Sequence, residues 1–188
     1  MAPLPASPEE EARAALGRGD REGALTVLML AYGRDVHRHC YQVLRDRDLA
    51  DDVHQTVFIE AFRDLGRFEG RSSMRTWLYG IARHRCLDAM KIGARWRRRF
   101  ARAEPLPEPA DERPAADQVM AERGDLSALV EALGRLSVEA RIAVLLRHRE
   151  GLTFEEIGAL SGEKAATVQA RVARAVARLR EMTAGGGR

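Results

Sequence analysis

Five histidines and two cysteines are the side chains here best suited to hold a metal or act as nucleophiles. Three of them fall together as His37-x-His39-Cys40. On a helix only His37 and Cys40, three residues apart, share a face, so the cluster cannot direct all its donors to one ion. Cys40 and Cys86 are too few for a disulfide framework or a four-cysteine zinc site, and suit a reducing compartment as ordinary thiols. There is no Ser-His-Asp arrangement, phosphate-cradling glycine loop or suggestive carboxylate pair. The sequence therefore predicts no catalytic residue, no metal ligand, no cofactor and no enzyme.

The chemistry that the residues do suggest is electrostatic. From Arg71 to Arg102 stand Arg71, Arg75, Arg83, Arg85, Lys91, Arg95, Arg97, Arg98, Arg99 and Arg102 against Asp88 alone, which is a footprint for a polyanion. From Glu104 to Asp125 the sign reverses, with seven acids against Arg113 and Arg123, as expected of a tether or an intramolecular mask for the basic helix. Over 188 residues the formal net charge is only +3, so segregation rather than total charge carries the information.

The longest apolar run, Ala24 to Tyr32, covers about half of the roughly 20 residues needed to span a bilayer. The opening MAPLPASPEEE lacks the cationic and apolar regions of a secretory signal, and a cytoplasmic protein is expected.

The elements that must position these residues are helices, since no segment alternates with period two and apolar spacing is helical throughout. Ser7-Pro8-Glu9-Glu10 starts a first helix, with a capping Ser, a Pro at the first helical position and an acid three residues on; Gly17 and Gly19 stop it. Asp20 caps a second helix with the stripe Leu25, Leu28, Met29, Tyr32, Val36 and Tyr41, ended by the turn Arg45 to Asp48. Asp48 opens a third helix with a buried face of Val53, Val57, Phe58, Ala61, Phe62 and Leu65. After a loop from Gly66 to Ser73, a fourth helix from about Ser72 buries Trp77, Leu78, Ile81 and Leu87 and leaves its basic residues to solvent or a partner.

Pro105, Pro107, Pro109 and Pro114 lie in a stretch too poor in apolar residues to offset chain entropy, and mark a linker. Beyond it, helices are expected over Leu126 to Leu136 and, with Ser137 as a cap, over Val138 to Arg149. Thr153 and Glu156 form a capping box for a short helix to Leu160; Ser161-Gly162 breaks the chain, and a last helix from about Ala165 carries Val168, Val172, Ala175, Val176 and Leu179. A short helix, a glycine turn and a basic second helix make a helix-turn-helix pattern. The expected fold is all-α: an N-terminal helical bundle and a C-terminal helix-turn-helix domain joined by a flexible linker.

Two blocks resemble the extracytoplasmic-function (ECF) sigma factors of bacterial RNA polymerase. The first is Asp51-Asp52-Val53-His54-Gln55-Thr56-Val57-Phe58, then Arg67-Phe68-Glu69-Gly70-Arg71-Ser72-Ser73 and Arg75-Thr76-Trp77-Leu78-Tyr79-Gly80-Ile81-Ala82-Arg83. The second is Glu150-Gly151-Leu152-Thr153-Phe154-Glu155-Glu156-Ile157 with Thr167-Val168-Gln169-Ala170-Arg171. The resemblance implies an N-terminal extension and first helix over 1–22, sigma region two over 23–100, an acidic linker over 101–125, sigma region four over 126–183 and a tail over 184–188. It implies core RNA polymerase, promoter DNA and an anti-sigma factor as partners, with promoter recognition, DNA melting and transcription initiation at a specific regulon as the function.

By that resemblance Asp52, Gln55, Thr56 and Ile59 grip the coiled coil of the polymerase clamp, and the spacing of Asp52, Gln55 and Ile59 opposite the apolar stripe agrees with an outward docking face. Thr56 stands where members usually have an acid. Phe68, Gly70, Arg71, Ser72, Ser73, Met74, Arg75, Trp77, Arg83 and His84 fall on the element that melts and reads the minus-ten sequence: small residues and backbone donors for the loop, arginines for phosphates, and Phe68, Met74 and Trp77 as walls for an unstacked base. Trp77 lies on the apolar side of its helix, so a core role competes with that reading. His84 stands where many members have Asn. For the minus-35 element the resemblance implies Thr167, Gln169, Ala170, Arg171, Arg174 and Arg178. Gln169 and Ala170 replace the usual basic residue and Ser, leaving a groove face of alanines with Gln169 at its edge. A repressor or activator with a helical sensor domain would account for the second block but has no use for the first.

Overall fold

The computed structural model describes residues 6–100 and 128–184; the expectations for the acidic linker and for residues 185–188 of the tail lie outside the described residues, while Ala184, expected in the tail, ends the last helix. Helix α1 spans Pro8–Gly17, α2 Arg21–Leu44, α3 Arg47–Asp64 and α4 Met74–Phe100, with a 3-10 turn at Leu65–Arg67. A helix over 128–134, here α5, precedes α6 (Val138–His148), α7 (Phe154–Ser161) and α8 (Ala165–Ala184). Every regular element among the described residues is helical.

Local chemistry sets the helix starts. Ser7 and Glu10 cap each other's backbone, as do Thr153 and Glu156, while Asp20 accepts from Gly23 N at 2.7 Å and Ser137 from Ala140 N at 3.3 Å. Two starts differ from expectation. Asp46 rather than Asp48 caps α3, accepting from Leu49 N at 3.0 Å, because Arg45 adopts a left-handed conformation (φ 59°) and turns the chain two residues early. Helix α4, expected from about Ser72, begins at Met74 with Ser73 before it, whose Oγ accepts from Thr76 N at 2.9 Å. A carboxylate of α1 assists there, with Glu9 Oε1 accepting from Arg75 N at 3.2 Å.

The first four helices form a bundle around Leu28, Val36, Val43, Val57, Phe58, Leu65 and Leu78. In α2 the buried stripe runs through Ala24, Leu28, Val36, Cys40 and Val43; Met29 and Tyr41, expected in it, are exposed because each sits about 100° around the helix from a buried neighbour. Phe62 is likewise displaced from Ala61 and exposed. Helix α4 buries more than one stripe. Met74, Leu78, Tyr79, Ala82 and Cys86 are fully covered, while Trp77, Ile81 and Leu87 are only partly so.

The reason is that α4 is covered from two sides, by α2 and α3 and by the C-terminal helices. The buried side chains of both halves form one contiguous cluster. Arg141 is part of the seam. Buried at 6 % exposure, it donates to the carbonyls of Leu133 (2.9 Å), Gly134 (2.8 Å) and Leu136 (3.3 Å), and across to Val43 at the end of α2 (2.5 Å). Arg45 adds a bond to Val130 O at 3.2 Å. Replacing Arg141 with Met keeps the apolar stem but removes the buried donor that these carbonyls share, and denaturant unfolding is expected to show a loss of about 2–4 kcal/mol. A loss below about 0.5 kcal/mol contradicts this view of the seam.

Candidate functional site

Three surfaces emerge from the packing. The first lies on α3 with α2. Asp52, Gln55, Thr56 and Ile59 all point outward, Ile59 at 62 % exposure, as the spacing anticipated. The structure adds an apolar floor: Leu25, Met29, His54, Gln55, Phe58, Ile59 and Phe62 line a groove of about 420 Å³. Met29 and Phe62 belong to this groove rather than to the core. Their offset from the buried stripe is the signal in the sequence that marks them out. At its edge His54 Nε2 lies 3.1 Å from Gly33 O and His37 Nε2 lies 2.5 Å from Asp51. Burial and then the charge of His37 push the His54 imidazole down. The His37 to Cys40 stretch gathers no metal-binding cluster among the described residues.

The second surface is the loop from Phe68 to Ser73 with the start of α4. Gly70 holds a positive φ of 71° at the loop's tip, and the side chain of Arg71 beside it is almost free, touching Glu69 at 3.1 Å. Phe68 and Trp77 form a half-buried aromatic pair with ring centroids 5.4 Å apart. His84 is exposed, 3.5 Å from Asp88. Met74, expected as a pocket wall, has no exposure and belongs to the core, because Ser73 ends the loop and Met74 begins the helix with its side chain turned inward.

Arg75 and Arg83, expected to be free, are instead held by the C-terminal half. Glu150 is 4 % exposed and receives a short hydrogen bond from Tyr79 Oη; Arg75 is 3.5 Å away, Arg149 3.6 Å and His39 Nδ1 3.7 Å. Arg75 also lies over the Tyr79 ring, 5.2 Å from its centroid. Thr76 Oγ1 donates to Glu156 at 2.9 Å, and Arg83 to Leu160 O at 3.4 Å. Burial alone would raise the Glu150 carboxyl, but His39, Tyr79 and Arg149 outweigh it and hold it below the usual carboxylate range. Burial, then the bond to Glu150, pushes the Tyr79 phenol well above its ordinary value.

The third surface is α8. Gly162 ends α7 in a left-handed turn (φ 68°), and a side-chain carbon at Gly158 would stand 2.6 Å from Glu163 O, so both glycines are needed for the chain to fold back into α8. Arg147 braces the preceding loop, bonding Leu152 O at 3.0 Å and lying over the Phe154 ring. Val168, Val172, Ala175 and Leu179 are buried, while Thr167, Gln169, Ala170, Arg174 and Arg178 face solvent. Arg171, expected among the free arginines, makes a two-pronged ion pair with Glu163, one prong at 2.6 Å, because the turn brings the acid over the first turn of α8.

Residues 28–99 match the family described as Sigma-70 region 2, and residues 126–179 the family described as Sigma-70, region 4. The ECF RNA polymerase sigma factor SigM of Mycobacterium tuberculosis is 33% identical over 171 residues, which cover 91% of this chain and 82% of that protein. This chain belongs to the ECF sigma factors. SigE of Mycolicibacterium smegmatis is 36% identical over 158 residues, 79% of this chain but 57% of that longer relative. Among solved structures, the sigma factor RpoE of Bartonella quintana, in complex with the anti-sigma factor NepR, shares the fold with a TM-score of 0.68 at 24% identity, covering 82% of this chain and 92% of that one.

A carboxyl whose pKa is depressed by folding takes up a proton more readily in the unfolded chain, so its stabilisation is full above the unfolded value of about 4.3 and is lost as pH falls through the folded value. Glu150 behaves in this way. Thermal melts between about pH 5 and pH 3 are expected to show a larger loss for the wild type than for Glu150→Gln. Equal losses contradict the assignment of Glu150 as an ionised buried group.

Proposed function

We propose that this chain is an ECF-type sigma factor that docks on the clamp coiled coil of core RNA polymerase through α3 and directs initiation at promoters of a specific regulon. The observation that carries the reading is the outward face of Asp52, Gln55, Thr56 and Ile59 beside an exposed apolar groove, within a chain that matches both sigma regions in order. A hydrophobic floor rimmed by polar groups is the usual composition of a protein-docking patch. The polymerase supplies the phosphodiester chemistry, and the sigma chain supplies recognition without itself being an enzyme.

For the promoter, the reading assigns Phe68, Gly70, Arg71, Ser72, Ser73, Trp77 and His84, with Arg75 and Arg83 once freed, to the minus-ten element. The Phe68 and Trp77 pair offers a stacking wall, and the loop small side chains and backbone donors. It assigns Thr167, Gln169, Ala170, Arg174 and Arg178 to the minus-35 element. There the arginines would reach phosphates, Gln169 is suited to a base edge and Ala170 to a thymine methyl. Arg171 would join them only by sharing or leaving Glu163. The chain would act in the cytoplasm under an anti-sigma factor, the class of partner with which RpoE of Bartonella quintana forms its complex.

The test is binding to purified core polymerase, followed by run-off transcription from a promoter library. The double variant Asp52→Ala/Gln55→Ala and the single variant Ile59→Ala are each expected to weaken the polymerase complex at least about tenfold, with unchanged melting because none of these side chains is in the core. Unchanged affinity in both removes this docking face.

A further inference from the structure

Arg171, Arg174 and Arg178 follow one another at i, i+3 and i+7 and so line one side of α8. They are not in the same condition. Arg174 and Arg178 are exposed, Arg174 bonding through Nε to the carbonyl of Ala170 one turn back at 3.2 Å. Arg171 gives both terminal nitrogens to one acid, Nη1 to Glu163 Oε2 at 2.6 Å and Nη2 to Glu163 Oε1 at 2.5 Å. The two side chains are 24% and 29% exposed, so most of the pair is covered. The turn delivers Glu163 to this point. Its amide donates to Gly158 O at 2.9 Å, and the absence of a side chain at Gly158 leaves room for the Glu163 carbonyl. The bond from Arg171, against the opposing effect of burial, holds the Glu163 carboxyl below the usual carboxylate range; the charge of Arg171, a bond from Ser161 and the charge of Arg83 in α4 add to it. The acid is therefore ionised at neutral pH.

A fork of two N–H bonds is also the geometry by which an arginine takes a phosphate. Carboxylate and phosphate compete for the same two nitrogens. We propose that Glu163 is an affinity-setting residue of the minus-35 interface: it keeps Arg171 off the DNA backbone, so that α8 grips the phosphates with Arg174 and Arg178 while the pair of Glu163 and Arg171 stays intact in the complex. The proposal rests on the minus-35 reading of α8, and it takes one arginine out of the contact set and names the residue that withholds it. At about 100° per residue Arg171 is the arginine of the three nearest the buried stripe of Val168, Val172 and Ala175, and the farthest from the outward row of Ala166, Ala170 and Ala173. Each phosphate contact adds about 0.9 to the logarithmic salt slope on duplex DNA, and a pair of opposite charges adds none.

The full chain is titrated with a fluorescent mixed-sequence duplex of about 20 base pairs at about 0.05–0.2 M salt; anisotropy gives the affinity and its salt slope, and circular dichroism with melting reports the fold. Glu163→Gln frees Arg171 and is expected to raise the affinity at least about threefold at about 0.1 M salt and to steepen the slope by about 0.9. Glu163→Gln with Arg171→Ala removes both members of a neutral pair and is expected to return the affinity and the slope to wild-type values. Unchanged or weaker binding by Glu163→Gln overturns the proposal, weaker binding meaning that the acid braces Arg171 on the DNA. A gain that survives in the double variant overturns it too, since it then comes from lost negative charge or through Arg83 and not from Arg171. The underlying reading is tested separately. Arg174→Ala with Arg178→Ala is expected to lower the affinity at least about tenfold and the slope by about 1.8. Unchanged binding by that variant, or no duplex binding by any form, removes the minus-35 reading of α8, and the proposal with it.

Discussion

A carboxylate removed from water must find partners that make up for its lost hydration, and in this chain that requirement falls on Glu150. It is met by no single element. Tyr79 and Arg75 come from α4, His39 from α2, and Arg149 precedes it in the chain, so its partners converge only where the N-terminal bundle and the helix-turn-helix domain meet; Oε2 accepts the hydrogen bond of Tyr79, while Oε1 lies near His39 and Arg149 without accepting a hydrogen bond. The surrounding geometry follows from that demand. His39 and Tyr79 pack edge to face at 5.3 Å in the bundle core, and the Glu150 amide is pinned to Leu145 O at 3.0 Å, which fixes the loop from which the side chain projects.

The neighbouring contacts extend the same constraint. Glu156 both caps α7 and accepts from Thr76, so the local signal that starts the helix also orients the helix-turn-helix unit against α4. Arg141 supplies the opposite case, a buried cation whose partners are backbone carbonyls of α2, the α5 end and the turn after it. Burial, then the nearby charge of Arg45, pulls its guanidinium down from the ordinary arginine value. A seam held by one buried anion and one buried cation is specific in register, since a shift leaves a charge unpaired, and it gains little from hydrophobic area at those points.

Much of the fold was legible because its determinants are local. Ser7, Asp20, Ser137 and Thr153 cap their helices through bonds three residues on, and such bonds can be read from spacing. Asp46 was missed because the left-handed turn before it is made by Arg45 and has no glycine to announce it. The outward face of α3 was legible as the complement of an apolar stripe, whereas Met29 and Phe62 were read as core through a small error of helical phase. The fate of Arg75 and Arg83 was not legible at all. Their partners lie 75 and 77 residues away, and no local pattern marks a basic residue that will face a carboxylate or a carbonyl of the same chain instead of a phosphate.

The central claim is that the free chain keeps Arg75 and Tyr79 of α4 covered by its own second domain. Tyr79 has no exposure in this arrangement, while Tyr41 on the outside of α2 is 38% exposed. Hydroxyl-radical footprinting of the unmodified chain, read by mass spectrometry at each tyrosine, compares the two within one molecule. The closed structure predicts slow oxidation of Tyr79 beside rapid oxidation of Tyr41. Oxidation of Tyr79 in the free chain as fast as that of Tyr41 would contradict it.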